Sequence, residues 1–146
     1  MRWVNAGTGP ALREDECRLL EAAAAARELA YAPYSGFKVG AAVSSAEGMT
    51  YAGCNVENAS YGLTVCAERV AVFNAVSSGV RQFTTVAVVG SDPEPAAPCG
   101  ACRQVIAEFS PDAVILMAGS EGRVIRGSVA GLLPHRFSLR PRPAGR

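Results

Sequence analysis

No apolar run in this chain approaches the roughly 18 residues that a membrane-crossing helix requires. Met1-Arg2-Trp3-Val4-Asn5 opens no apolar stretch of signal-peptide length. Charge of one sign is missing too: 14 basic and 13 acidic side chains leave a net charge of +1, so no global field draws nucleic acid or an anionic membrane. Aromatic residues are sparse at 7%, whereas a groove for single-stranded nucleic acid needs stacking rings beside its cations. These absences lead to the expectation of a cytoplasmic protein in a reducing compartment, without disulfides and with no membrane or polynucleotide partner. What is present is 49% hydrophobic and 18% charged over 146 residues. That balance suits one globular domain over 1–146, large enough to bury a core without a covalent staple. Residues 1–12 are expected to form a flexible extension, and the Arg- and Pro-rich residues 139–146 a flexible tail.

Five cysteines are then left to explain: Cys17, Cys54, Cys66, Cys99 and Cys102. An odd, unevenly spaced set in such a chain reads as metal ligands or buried thiols. Residues 13–30 predict a helix whose five consecutive alanines mark close packing, with Cys17 on its apolar side. Proline and glycine break that helix within 31–36. From Phe37 the pattern alternates, with Phe37, Val39, Ala41 and Val43 on one strand face. A turn at 46–48 leads to a second strand over 50–56, completing a hairpin. There Asn55 and Glu57 share one face, while Cys54 points with Ala52 and Val56 toward the core. Helices are further predicted over 65–78 and 99–109, and strands over 84–89, 114–117 and 123–126. The alternation from residue 84 onward predicts parallel pairing. The whole pattern predicts an α/β fold, a mixed central β-sheet sandwiched between helices.

Pro98-Cys99-Gly100-Ala101-Cys102 sets two thiols three residues apart at a helix start, on one side, where both reach one ion. The positive helix end favours their thiolate forms. Redox pairs and structural zinc sites share this spacing, so the motif alone decides little. Cys66-Ala67-Glu68 adds a third thiol and a carboxylate at a second helix start. Alone, Glu68 reads as a solvated residue that suits the helix dipole. Together, C-x-E and P-C-x-x-C match the signature of zinc deaminases. Three ligands leave the fourth tetrahedral position open for water, as a catalytic zinc requires, and Glu68 is then a proton shuttle and not a ligand. A closed structural zinc module would instead need a fourth ligand from Cys17, Cys54 or His135, and no Glu68.

The chain resembles the small zinc-dependent cytidine deaminases of homotetrameric type. The resemblance is carried by residues 31–43 (YAPYSGFKVGAAV), 53–61 (GCNVENASY), 66–69 (CAER) and 98–104 (PCGACRQ). Leu132-Leu133-Pro134 and Phe137 are similar to the family's ending, so the likeness covers about residues 13–138. Phe37-Lys38-Val39-Gly40 and Asn55-Val56-Glu57 narrow it to nucleoside substrates. The resemblance implies a three-layer fold and a hydrolase that holds Zn²⁺ on Cys66, Cys99 and Cys102, with Glu68 as general acid and base. It implies Phe37 against the pyrimidine, Asn55 and Glu57 on the ribose hydroxyls, and the Ala67 backbone at the base. Tyr61 and Phe137 match positions that complete the sites of neighbouring subunits. Three thiolates around Zn²⁺ leave one net negative charge, which weakens the Lewis acid. Similar arginines in the family hydrogen-bond the ligands, so Arg69 takes the charge-compensating role. The implied reaction converts cytidine and deoxycytidine to uridine and deoxyuridine with release of ammonia, in pyrimidine salvage. The alternative is a deaminase of a cytosine nucleoside antibiotic such as blasticidin S, from a related family sharing C-A-E and P-C-G-x-C-R-Q.

Overall fold

Glu14, Asp15 and Glu16 open the first helix and Arg27 closes it, so both ends suit the helix dipole. In the computed structural model, which describes residues 2–139 and residue 141, this helix, α1, spans Glu14–Arg27. The expected tail, from residue 140 apart from residue 141, lies outside the described residues. The Glu16 carboxylate accepts the Arg13 backbone N–H at 2.9 Å, as in a capping box. Helical character was expected to run to Ala30, but Glu28, Leu29 and Ala30 donate to carbonyls three residues back, which tightens and ends the helix.

The sheet contains β1 (Val4–Asn5), β2 (Val39–Ser45), β3 (Thr50–Cys54), β4 (Phe83–Gly90), β5 (Val114–Ala118) and β6 (Arg123–Ser128). Their spatial order is β1-β6-β5-β4-β2-β3. β2 and β3 form the expected hairpin, and β4 and β5 pair in parallel across the helix α3 (Gly100–Phe109). The β2–β4 and β5–β6 pairs are antiparallel, so the central sheet is mixed, as the patterns predict. Period-2 alternation divides its side chains. Ala41, Val43, Val86 and Val88 pack with Ile106 of α3 and with Ala71 and Val72 of α2 (Ala67–Ser77). Ala42, Ala87, Val89 and Leu116 pack with Leu19, Leu20 and Ala23 of α1 on the other face. β4 is covered on both faces, which is why it reads as a continuous apolar run.

Gly40 shows how close these layers lie. A Cβ there would collide with the Ala23 carbonyl and the Arg27 backbone, so the alanine stretch of α1 rests directly on β2.

The structure departs from the sequence patterns at the chain's start and at β3. β1 pairs in parallel with β6, and Trp3 is buried in the α1-side core. The residues expected as a loose extension therefore begin as an edge strand, too short to carry a periodicity. Val56, expected in the core, is 43% exposed. β3 is the edge strand and stops at Cys54, after which Val56 makes single bridges to Tyr31 and Val65. Cys54 and Cys17 are accordingly half-buried.

Candidate active site

Cys66 and Cys99 are the N-cap residues of α2 and α3, with extended backbone and sulfurs that bond none of the helix N–H groups. Those sulfurs stand 3.8 Å apart. Cys102, in the first turn of α3 and fully buried, completes a triangle whose three sulfurs lie within 4.8 Å of one another. Sulfurs bonded to zinc at about 2.3 Å in tetrahedral directions stand about 3.8 Å apart, so the triangle fits such an ion. Among the described residues no other group of three His, Cys, Asp or Glu side chains converges in this way. Cys17, Cys54 and His135 stand outside it.

The charges around the triangle are arranged unevenly. The Cys66 thiol is drawn down to about 5, first by its hydrogen bond with Cys102 and further by Arg69 and Cys99. The same partnership, with burial, pushes Cys102 up. Arg69 donates through Nη2 to the Cys66 Sγ at 3.4 Å and to the Thr64 carbonyl at 3.5 Å. Glu68, buried in the first turn of α2, is pushed up to about 7, chiefly by desolvation and further by the Cys66 charge. A cation held by the sulfurs acts on Glu68 in the opposite direction, favouring its ionised form.

A cavity of about 260 Å³ opens over Cys66, Cys99 and Glu68. Phe37, Asn55, Glu57 and Ala67 line it, so Asn55 and Glu57 both reach the cavity, although from beyond the end of β3 and not from a strand face. Phe37 lies just outside β2, because Asn55 occupies the ladder positions beside it. The Asn55 Oδ1 accepts the Val39 N–H and its Nδ2 donates to the Phe37 carbonyl, each at 2.9 Å. One oxygen of Glu57 accepts the Tyr34 and Ser35 N–H groups at 2.9 and 3.1 Å. The Ser35 side chain foremost, together with these backbone bonds, holds the Glu57 carboxyl below the usual range. Ser35, Val39, Thr64, Val88, Ala96 and Ala97 also form the walls. Sequence reasoning singled out none of these for the site. Val39 and Val88 were traceable through strand parity, but small apolar walls carry no chemical signature. Tyr61 and Phe137 are exposed and line no part of their own chain's cavity. Tyr61 meets Tyr34 edge-on, with ring centroids 6.5 Å apart.

Residues 13–118 match a family model described as the cytidine and deoxycytidylate deaminase zinc-binding region. The chain is 49% identical over 122 residues to a cytidine deaminase of Sporosarcina psychrophila, covering 83% of this chain and 90% of that relative. It is 31% identical over 108 residues to a blasticidin-S deaminase of Bacillus cereus, covering 68% of this chain and 76% of that one. The crystal structure of a cytidine deaminase from Burkholderia pseudomallei is similar with a TM-score of 0.81 and 50% identity, covering 86% of this chain and all of that one.

Proposed function

The chain belongs to the zinc-binding cytidine and deoxycytidylate deaminases, and on that premise we propose that it hydrolyses cytidine and deoxycytidine to uridine and deoxyuridine with release of ammonia, a step of pyrimidine salvage in the cytoplasm. The observation that carries the nucleoside reading is the charge of the cavity wall: Glu57 and Glu68 line it, and among the described residues no lysine or arginine does. A 5′-phosphate there would face a carboxylate kept ionised by the Tyr34 and Ser35 N–H groups. Sugar hydroxyls would find an acceptor instead.

Cys66, Cys99 and Cys102 would hold Zn²⁺, which would supply Lewis acidity and lower the pKa of a water molecule toward neutrality. Glu68 accepts a proton from the attacking water and passes it to the ring nitrogen N3, and the departing amine takes, through the same carboxyl, the proton left on the new C4 hydroxyl, which becomes the product carbonyl. The water oxygen bonds to C4, the C4–N bond breaks, and ammonia leaves. One carboxyl serves all three transfers because it borders both the sulfur triangle and the cavity. Phe37 packs against the pyrimidine, the Ala67 backbone meets the base, and Asn55 and Glu57 take the ribose hydroxyls. Arg69 and the N-termini of α2 and α3 offset the negative charge of the thiolates.

A homotetramer belongs to the same reading. Tyr61, Leu63, Phe73 and Phe137 are all at least half exposed, the kind of apolar surface that subunit contacts cover. Tyr61 and Phe137 then complete the cavities of neighbouring subunits.

A second reading, deamination of blasticidin S, is favoured by the 31% identical relative of that name. The test incubates the purified protein with cytidine, deoxycytidine, CMP, blasticidin S and a cytosine-bearing oligonucleotide, following ammonia beside a Glu68→Ala control. Turnover of both nucleosides alone supports the proposal. Turnover of blasticidin S in their place selects the second reading.

A further inference from the structure

Consecutive side chains of α3, immediately after the Cys102 ligand position, reach out to the C-terminal segment. Arg103 donates through Nε to the Pro98 carbonyl at 2.7 Å and through Nη1 to the Leu132 carbonyl at 2.9 Å. Gln104 donates through Nε2 to the Phe137 carbonyl at 3.0 Å. One guanidinium thus ties the residue preceding Cys99 to the end of the short helix α4 (Val129–Leu132), and the next side chain holds the backbone of Phe137.

The segment between these anchors has little else to fix it. Within their own subunit residues 134–139 are exposed along their whole length, so no apolar burial inside that chain orders them. His135 adopts a left-handed conformation, with φ 53°, which is strained for a non-glycine residue. Strain of that kind persists where the flanking chain is held, and here Leu132 and Phe137 are the held positions. Leu132 and Leu133 pack on the core that α2 and α3 share, so the inner anchor is firm. The outer one depends on Gln104.

The geometry points to Arg103 and Gln104 as a brace of positioning residues: the helix end that carries Cys99 and Cys102 also sets where the Phe137 ring is presented. Arg103 fixes the Pro98-Cys99 approach, and Gln104 fixes the Phe137 backbone, so the metal centre of one subunit and the cavity of its neighbour share a mechanical support. This rests on the reading of Phe137 as a residue that completes a neighbouring cavity.

The experiment is a double-mutant cycle on the zinc-loaded enzyme with cytidine, together with the rate of zinc transfer to a chromogenic chelator. Gln104→Ala should raise KM about fivefold with kcat unchanged, the scale of one neutral hydrogen bond. Phe137→Ala should raise KM further, and Gln104→Ala/Phe137→Ala should be no worse than Phe137→Ala alone, because Gln104 acts through Phe137. Arg103→Ala should release zinc about tenfold faster, as loss of a ligand-supporting contact does. Arg103→Lys, which keeps the charge and is milder on folding, should fall between it and the parent. Independent, multiplying effects of Gln104→Ala and Phe137→Ala overturn the brace, as does unchanged zinc release in both Arg103 variants. A Phe137→Ala variant with normal KM overturns the underlying reading instead, whereas an impaired Phe137→Ala beside a normal Gln104→Ala overturns only the brace.

Discussion

The Arg69 guanidinium donates to the Cys66 sulfur from three residues along the same helix, at 3.4 Å. The spacing puts a permanent cation against a thiol that is drawn down to about 5. Arg69→Ala is therefore expected to weaken zinc retention or activity by about tenfold or more. Arg81, exposed and bonded to nearby carbonyls at the end of α2, serves as the comparison. Zinc content and turnover of the two alanine variants decide the matter, and equal losses would discard the compensating role.

Glu68 borders the cavity but is not among the converging sulfurs. Replacement by Gln keeps its volume and removes the transferable proton site. Glu68→Gln should bind zinc at parental stoichiometry by elemental analysis while kcat falls by roughly 10²–10⁴-fold. A variant retaining parental turnover would refute the shuttle.

The Glu57 carboxyl sits below its usual range, held first by Ser35 and also by the Tyr34 N–H. A depressed folded-state value means its ionised contribution is complete above the ordinary carboxyl pKa and is lost only as pH falls through the lower one. Glu57 should thus add no pH dependence to cytidine binding between about pH 5 and 8. Glu57→Gln should narrow the preference for cytidine over CMP by up to about fivefold, the scale of one exposed charge. KM ratios measured at low ionic strength test this, and an unaltered ratio counts against Glu57 as the feature that repels a phosphate.

Glu16 is 1% exposed and accepts Nη2 of Arg126 at 2.6 Å, joining α1 to β6. Removing one partner breaks this charged hydrogen bond, at a cost of about 1.5–3 kcal/mol, while Glu16 keeps Arg13 and Arg126 keeps the Pro10 carbonyl. Glu16→Gln and Arg126→Met should each lower the melting temperature by roughly 10 °C, and the double variant should lose less than their sum. The cavity is lined by neither residue, so KM for cytidine should stay at the parental value. A shifted KM without destabilisation would contradict the structural role.

Periodicity was enough to read the hairpin of β2 and β3, the β4-α3-β5 unit and the helix starts at Cys66 and Cys99, because each is a local pattern of burial and turn residues. The thiol spacing singled out the three sulfurs that converge in the structure. Strand parity found Asn55 and Glu57 but not what they do to the loop, since their hydrogen bonds to Phe37, Val39, Tyr34 and Ser35 cross between segments that sequence leaves unpaired. Parity also failed at Val56, because alternation persists in the sequence beyond the residue at which an edge strand leaves its sheet.

By itself, then, the sequence determined the element types, the division of apolar residues between two sheet faces and the three thiols that meet at the site. Tertiary structure alone decided the strand order, the contact of Gly40 with the backbone of α1, the recruitment of Val4–Asn5 to the sheet edge and the 3.8 Å approach of Cys66 to Cys99. The reason is physical. Side-chain chemistry and backbone propensity act over a few residues, whereas the close approach of distant residues follows from how whole layers pack, and no local signal carries that distance.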